Sequence, residues 1–272
     1  MKIAQYYDGQ SIRLGLIRDK VLLPLKFQGE MKNFIQTSPD FTVKGDPIDF
    51  TRVSFAPPVT NPSKIIAIGL NYRDHITESK GKVPEEPIIF AKFPSSLTGH
   101  REMITWNPHL AKKVDFEAEL AVIIGKKVHA CPRSEAMDAV FGYSCANDVS
   151  ARDLQFGDGQ WVRGKSLDTF CPLGPWIVTS EEIPDPHALA IRCWLNGQLM
   201  QDSNTGMMIF TIPELIAFIS RNFTLLAGDI ILTGTPHGVG TFREPSVYMK
   251  DGDEVAVEVG NIGRLVNYCK TV

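Results

Sequence analysis

Short apolar runs separated by turn residues recur along the chain and predict strands more often than helices. The runs KIAQYY and SIRLGLI flank Asp8-Gly9, and LAIRCWL and QLMQDS flank Asn196-Gly197, so both dipeptides predict β-hairpins. Thr211 and Glu214 form a capping box that predicts the start of a helix over IPELIAFISRNF. Because the strands outnumber the helices and do not alternate with them regularly, we predict a β-rich mixed sheet or roll rather than a doubly wound sheet.

A proline-rich segment near residue 60 suggests a division of the chain. The sequence FAPPVTNPSK contains Pro57, Pro58 and Pro62 and is typical of a linker. A chain of 272 residues can form one large domain or a main domain with a small appendage. We therefore predict a small β-rich N-terminal domain over residues 1–60 and a larger domain over residues 61–272.

Two glutamates lie within the apolar, strand-like stretch VDFEAELAVIIGKKV. Side chains alternate faces along a strand, so Glu117 and Glu119 share one face, which continues through Ala121 and Ile123. A pair of this kind most often belongs to a solvated face, but the apolar continuation places it at the mouth of a core. Two anions in partly dry surroundings repel each other, so we expect a positive charge between them.

A third carboxylate, Asp148 in YSCANDVSARD, follows an apolar strand and lies at its end. Its alternative role is an ordinary cap for the next turn. Together with Glu117 and Glu119, Asp148 would suit a hard divalent cation, first Mg²⁺ and then Mn²⁺ or Ca²⁺. Zinc would normally require imidazole or thiolate ligands.

His75 and Glu78 lie three residues apart in RDHITES. If this segment is helical, the two side chains share a face, and the carboxylate can orient the imidazole and stabilise its charge. The commoner occurrence of such a pair is on an exposed surface, so a catalytic role depends on its facing the carboxylates. Gly81 and Pro84 would then allow the segment to act as a lid.

Three further stretches contain polar residues that suit an anionic substrate. Lys165 in QWVRGKSLD could bind a substrate oxyanion, and its alternative is a solvated loop charge. Arg152 and Gln155 in ARDLQ are similar, with a surface helix as the alternative. Gly234 and Thr235 lie in LTGTPHGVG, a glycine-rich loop whose backbone N–H groups can form an anion-binding concavity.

Composition and charge exclude several classes of protein. The formal net charge of −3 gives no general reason to expect nucleic acid or an anionic membrane as a partner. No apolar stretch approaches the roughly 18–20 residues that span a bilayer, and MKIAQYYDGQ lacks the pattern of a secretory signal. The five scattered cysteines show no metal-binding spacing and are typical of reduced, buried thiols, so we predict a cytoplasmic protein.

The motifs GLNYRDH…E, PIIFAKFPSS, VDFEAELAVIIGK, ANDVSARDLQ, GKSLDTFCPLGP, LNGQLMQ and ILTGTPHGVG occur in this order. This series resembles the fumarylacetoacetate hydrolase superfamily, in particular its two-domain bacterial members and the fumarylacetoacetate hydrolase domain-containing protein 2 type. The resemblance covers about residues 64–267, and the first 60 residues match only loosely.

The resemblance implies an α+β, β-rich roll or sandwich with few short helices, which assembles as a homodimer. It also implies a role for each candidate residue. Mg²⁺ or Mn²⁺ would be held by Glu117, Glu119 and Asp148, with Lys165 beside the metal. His75 and Glu78 would form a dyad on a lid, and the pocket would be lined by Arg152, Gln155, Gly234 and Thr235.

The expected substrate is a small 2-oxo acid that chelates the cation. Because the dyad is complete, our first hypothesis is hydrolysis of a C–C bond next to a carbonyl, as in an acylpyruvate, with His75 as general base for water. The alternative is an oxaloacetate decarboxylase or an oxaloacetate keto–enol tautomerase, which would use the same site. A third hypothesis is a metal-stabilised protein that binds small acids without turnover.

Overall fold

The computed structural model describes residues 1–37 and 40–272, and strands predominate in both ranges. The strands are β1 (Lys2–Asp8), β2 (Ser11–Arg18), β3 (Val21–Gln28), β4 (Ile48–Asp49), β5 (Ile65–Gly69), β6 (Ile88–Lys92), β7 (Leu97–Thr98), β8 (Met103–Trp106), β9 (Val114–Asp115), β10 (Ala118–Ile124), β11 (Val140–Asn147), β12 (Ser150–Ala151), β13 (Cys171–Thr179), β14 (Ala190–Leu195), β15 (Gln198–Asn204), β16 (Ile230–Leu232), β17 (Glu254–Val259) and β18 (Gly263–Thr271). The predicted β-rich α+β class is confirmed.

The α-helices are short. They are α1 (Met31–Gln36), α2 (Arg73–Ser79), α3 (Arg152–Gly157), α4 (Val162–Lys165) and α5 (Ile212–Asn222). Single 3-10 segments cover Phe50–Arg52, Pro94–Ser96, Arg133–Ala139, Ser180–Glu182, Thr205–Met207 and Gly240–Phe242. In the described part of the chain, no helix is long and apolar enough to cross a membrane.

The largest sheet has the strand order β4-β3-β2-β1-β13-β11-β10-β16-β5-β6, and β7 pairs with β13 beside this path. Residues 1–60 contribute the first four strands of this sheet. Strand β1 joins them to the rest of the sheet, because it pairs antiparallel with β13, with Lys2 opposite Val178. The N-terminal strands thus extend the same sheet that contains β10 and β11. A domain boundary near residue 60 remains a prediction.

Strand β10 crosses the middle of this sheet and is buried along its whole length, as its two apolar faces predict. Leu120 and Val122 belong to the core that lies between the large sheet and the five-stranded sheet β15-β14-β17-β18-β8. Ala121 and Ile123 belong to a second core, which contains α1 and the N-terminal strands. Polar side chains can therefore reach a pocket only at the end of β10.

Both predicted hairpins are confirmed. Strands β1 and β2 pair across Gly9-Gln10, one residue later than the predicted Asp8-Gly9, and β14 and β15 pair across Asn196-Gly197. In the second turn both residues have positive φ, 51° and 77°, which a type I′ turn requires. The predicted capping box is also present, because the Thr211 hydroxyl and the Glu214 carboxylate complete it at the start of α5. These features depend on residues close together in the chain, so the sequence is sufficient to predict them.

Candidate active site

The register of β10 and β11 brings three carboxylates together. Glu117 immediately precedes β10, and Asp148 immediately follows β11, its antiparallel neighbour. The backbone N–H of Asp148 donates to the carbonyl of Glu117 over 2.9 Å, and Glu119 lies two residues further along. One carboxylate oxygen from each residue lies within 4.8 Å of the others, and all three residues are buried. The structure therefore assembles the three carboxylates that we selected from the sequence.

Two buried lysines neutralise part of this cluster. Nζ of Lys165 lies 2.7 Å from Oε2 of Glu117 and 2.7 Å from Oδ2 of Asp148. Nζ of Lys92 lies 2.5 Å from Oδ1 of Asp148, so both oxygens of Asp148 have a cationic partner. Burial alone would lower the pKa of Lys165, but Asp148 and Glu117 outweigh it, and the pKa is raised. The ammonium of Lys165 thus supplies part of the positive charge that the sequence led us to expect.

Arg152 supplies a third buried cation. Its Nη2 lies 2.8 Å from Oδ2 of Asp115 and 2.7 Å from Oε1 of Glu117, and its Nη1 donates to Oε1 of Gln155 over 2.9 Å. Burial raises the pKa of Glu117, but Lys165 and then Arg152 reverse this effect and lower the pKa to about 2. Glu117 is therefore a stable anion inside the protein.

Glu119 has a different environment. Within residues 1–37 and 40–272 it forms no ion pair, and its carboxylate accepts a hydrogen bond from the N–H of Gly234 over 2.8 Å. Burial, followed by the negative charges of Asp148 and Glu117, raises the pKa of Glu119 well above its usual range. A buried carboxylate in this position must either take up a proton or meet an additional cation.

These residues fit a hard divalent cation. Carboxylate oxygens are the ligands that Mg²⁺, Mn²⁺ and Ca²⁺ prefer, and the described residues leave the negative charge of Glu119 without a cationic partner. The ion would be held by Glu119 together with Glu117 and Asp148. Because Lys165 already contacts the last two, the ion would share them with its ammonium group.

Helix α2 places His75 beside the cavity that Glu117 and Glu119 also line. Nδ1 of His75 lies 3.3 Å from Oε2 of Glu78, and Oε1 of Glu78 accepts the N–H of Gly238 over 2.8 Å. His75 is only 7% exposed and packs against the ring of Phe242, so the alternative of a surface pair does not describe it. The hydroxyl of Ser203 also ties α2 to β15 by donating to the residue before His75. Motion of α2 as a lid remains a prediction.

A cavity of about 100 Å³ lies between these groups. Seven of the residues selected from the sequence line it, namely His75, Glu117, Glu119, Arg152, Gln155, Lys165 and Thr235. The other three contact this set directly: Glu78 contacts His75, Asp148 contacts Lys165, and Gly234 contacts Glu119. A larger open groove of about 570 Å³ is lined by Met1, Lys2 and Arg18 and contains none of these groups. The chemistry of the lining, and not the volume, identifies the candidate site.

Sequence reasoning did not select Lys92, Asp115 or Gln201. Lys92 is the last residue of the otherwise apolar run PIIFAK, and Asp115 lies within VDF, between two buried apolar residues. A lone charge in an apolar strand costs free energy unless it is paired, so both positions carried a signal for a buried ion pair. Gln201 carried no comparable signal, because it is one of several polar residues in the hairpin strand QLMQDSN.

Comparison with known proteins gives the class of this chain. Residues 64–270 match the family described as Fumarylacetoacetate (FAA) hydrolase C-terminal. The match covers well over half of the chain, so the protein belongs to the fumarylacetoacetate hydrolase family, which confirms the resemblance found in the sequence.

The most similar relatives include several oxaloacetate tautomerases. The chain is 50% identical to oxaloacetate tautomerase Fahd2a, mitochondrial, of Rattus norvegicus over 218 residues, which is 80% of this chain and 69% of the relative. It is 48% identical to oxaloacetate tautomerase FAHD2A, mitochondrial, of Homo sapiens over 219 residues, with the same two coverages, 80% and 69%. These names favour our alternative hypothesis, tautomerisation, over our first hypothesis, C–C hydrolysis.

Solved structures share the whole fold. The fumarylacetoacetate hydrolase of psychrophilic Exiguobacterium antarcticum superimposes with a TM-score of 0.91 at 35% identity, with 100% of both chains covered. The maleylpyruvate hydrolase of Sphingobium sp. SYK-6, solved in complex with manganese(II) and pyruvate, gives a TM-score of 0.80 at 30% identity over 100% of this chain and 99% of that chain. The fold therefore occurs with hydrolases as well as with relatives named as tautomerases.

Proposed function

We propose that this protein is a divalent-metal-dependent keto–enol tautomerase of oxaloacetate. The observation on which the proposal rests is the His75–Glu78 pair at 3.3 Å, in which the buried imidazole of His75 lines the same small cavity as Glu117, Glu119 and Lys165. Tautomerisation requires a base near an activated carbonyl, and this arrangement provides one. Identity of about 50% to oxaloacetate tautomerases over 80% of the chain supports this choice of substrate.

His75 would move the proton between carbon and oxygen. When Nδ1–H of His75 is donated to Glu78, Nε2 is left as the proton acceptor. Glu78 is itself held by the N–H of Gly238, so the imidazole has a fixed tautomer and orientation. Nε2 would take a proton from C3 of oxaloacetate, and the resulting imidazolium would return a proton to the 2-oxygen, so the net composition is unchanged.

Lys165 would stabilise the negative charge that develops on the substrate. An ammonium group has three donors, and Lys165 uses two of them on Glu117 and Asp148, so the third can serve a substrate oxygen. Thr235 and Arg152 would bind the carboxylates of the substrate, whereas the N–H of Gly234 already donates to Glu119. A bound divalent cation would supply Lewis-acid polarisation of the 2-oxo and carboxylate oxygens.

Hydrolysis of an acylpyruvate is the second candidate. It is favoured by the structural likeness to the maleylpyruvate hydrolase solved with manganese(II) and pyruvate. In this reaction His75 would activate a water molecule instead of removing a proton from C3. Decarboxylation of oxaloacetate would use the same groups and would release pyruvate.

A product-resolved assay separates these reactions. Purified protein with Mg²⁺ would be given oxaloacetate or acetylpyruvate, while enol absorbance and pyruvate release are followed separately. We expect a change in the enol signal of oxaloacetate without pyruvate. Pyruvate from acetylpyruvate would assign hydrolysis, and pyruvate from oxaloacetate would assign decarboxylation.

Replacement of the base tests the dyad. His75→Ala is expected to lower kcat by about 10²–10⁴-fold, the usual contribution of a general base, while Mg²⁺ binding is retained. His109→Ala, at an exposed position, is the matched control and should be fully active. A variant at His75 with wild-type kcat would show that another group transfers the proton.

Assembly and location are further parts of the proposal. We expect a homodimer with no nucleic-acid or membrane partner, which light scattering of the purified protein would test. We also expect a cytoplasmic location, although the relatives described above are named as mitochondrial. Microscopy of a fluorescent fusion in the source cell would decide between the two compartments.

A further inference from the structure

The loop that follows β16 reaches two parts of the candidate site. The N–H of Gly234 donates to Glu119, one of the candidate metal ligands, over 2.8 Å. Four residues later, the N–H of Gly238 donates to Glu78, the carboxylate of the dyad, also over 2.8 Å. The position of this one loop therefore sets the orientation of both carboxylates.

The loop lies tightly against β15. Gly238 has a φ of 93°, a conformation that favours glycine, and a Cβ at this position would clash with the carbonyl oxygen of Met200 on β15. The side chain of Arg243 also bonds the carbonyls of Gly238 and Met200. The strand therefore acts as the surface on which the loop is held.

Gln201 is the β15 side chain that bonds the middle of the loop. It is completely buried, and its Nε2 donates to Oγ1 of Thr235 over 2.9 Å and to the carbonyl of Pro236 over 2.9 Å. A longer contact of 3.3 Å joins the same nitrogen to the carbonyl of His237. The amide group thus fixes the three residues between Gly234 and Gly238.

The other end of the same amide reaches the backbone between two of the candidate metal ligands. Oε1 of Gln201 accepts the N–H of Ala118 over 2.8 Å, and Ala118 is the residue between Glu117 and Glu119. One side chain therefore joins the backbone between these two glutamates to the loop that holds Glu119 and Glu78. Among the side chains, only glutamine and the shorter asparagine combine two amide N–H donors with a carbonyl acceptor.

We propose that Gln201 is a positioning residue that sets the geometry of the metal-binding carboxylates and of the His75–Glu78 dyad together. This inference deepens the proposed function and rests on it for the role of the dyad. It assigns Gln201 no contact with substrate. Its effect is transmitted through Ala118 on one side and through the 234–238 loop on the other.

Two substitutions separate the two ends of the amide. Gln201→Met keeps the length of the side chain and removes both the donor and the acceptor, so buried backbone groups lose their partners. Gln201→Glu keeps an acceptor for Ala118 but cannot donate to the loop. Substitution of a residue that supports the metal ligands without binding the metal typically weakens metal affinity by about 10–100-fold. We expect the affinity of Gln201→Met to fall by a factor in this range, and the affinity of Gln201→Glu to lie between that of Gln201→Met and that of the wild type.

The test measures Mn²⁺ binding by the full chain, independently of turnover. EDTA-treated protein would be titrated with Mn²⁺, and the free ion would be followed by electron paramagnetic resonance, at a temperature where circular dichroism shows every variant to be folded. Gln198→Met, an exposed glutamine on the same strand, is the matched control and should keep the wild-type Kd. If Gln201→Met does not fold, Gln201→Asn, which keeps the neutral amide but is one methylene shorter, decides between the same results.

A purely structural glutamine would give a different outcome. In that case Gln201→Met would lower Tm, while the folded variant would bind Mn²⁺ with the wild-type Kd, and the inference would be overturned. A wild-type protein without Mn²⁺ affinity would overturn it as well. Weaker binding by Gln201→Met, in a protein that does not tautomerise oxaloacetate, would uphold the positioning role and reject the proposed function.

Discussion

Glu117 and Glu119 are two residues apart, contribute to the same cavity and are both buried, yet their surroundings are opposite. Glu117 contacts the ammonium of Lys165 at 2.7 Å and the guanidinium of Arg152 at 2.7 Å. Glu119 has a single backbone N–H as its partner in the described ranges. The pKa of Glu117 is lowered to about 2, whereas the pKa of Glu119 is raised well above its usual range.

This difference shows how a site can be both stable and reactive. Glu117 belongs to a neutralised network that is complete in the protein itself. The ionised form of Glu119 would carry a charge that the network leaves without compensation, and a buried charge without a partner is unfavourable. An incoming divalent cation would therefore be attracted mainly by Glu119, while Glu117 and Asp148 would be held in place for it by Lys165.

The largest expected effect comes from removing the shared cation. Lys165→Met leaves the carboxylates of Glu117 and Asp148 without this partner, and loss of one member of a buried ion pair typically costs about 3–5 kcal/mol. For a chain of this size we expect Tm to fall by about 10 °C in calorimetry. Lys127→Met, at an exposed position after β10, is the control and should keep the wild-type Tm. An unchanged Tm for Lys165→Met would show that the network does not stabilise the fold.

Addition of Mg²⁺ should have the next largest effect. At a concentration about 100 times its Kd, a ligand that binds only the folded state adds about 2.7 kcal/mol of stability. We expect Mg²⁺ to raise the Tm of the EDTA-treated wild type accordingly, and to have little effect on Glu119→Gln. Equal shifts in the two proteins would place the ion elsewhere. Mn²⁺ and Ca²⁺, tested in the same way, would rank the three ions.

The smallest effect concerns pH in the absence of metal. Because the pKa of Glu119 is raised on folding, its contribution to stability is complete below its unfolded value of about 4.3 and is lost as pH rises through the folded value. Glu119→Gln lacks this loss, so in EDTA its Tm should exceed that of the wild type increasingly as pH rises.

In the same measurement, Glu117→Gln should change Tm in the opposite direction. The lowered pKa of Glu117 gives stability that is present above its unfolded value of about 4.3 and is lost as pH falls toward about 2. Its replacement should therefore lower Tm at neutral pH. A Tm for Glu119→Gln that stays below the wild type over the whole pH range would contradict the contrast between the two glutamates.

The sequence was sufficient for features that depend on near neighbours. The turn between β1 and β2, the Asn196-Gly197 turn, the Thr211–Glu214 capping box and the helical spacing of His75 and Glu78 are all decided within a few residues. The resemblance to a family then indicated which residues that are distant in the chain belong to one site. Alternation along a strand cannot indicate this.

The contacts that define the charge balance could not be predicted in this way. Lys92 and Asp148 are separated by 56 residues, and Gln201 and Ala118 by 83. Their meeting depends on the register of several strands. The sequence therefore led us to expect one positive charge between the glutamates, and it did not show that Lys165 and Arg152 serve Glu117 while Glu119 is left without a cation.

The central claim is that the lone charge of Glu119 is matched by a divalent cation on which catalysis depends. It is tested most directly by following the enol absorbance of oxaloacetate with EDTA-treated wild type and Glu119→Gln, before and after addition of Mg²⁺. We predict no catalysed tautomerisation by either protein in EDTA, and recovery on addition of Mg²⁺ only in the wild type. Full tautomerase activity of the EDTA-treated wild type, or equal recovery in Glu119→Gln, would contradict the claim.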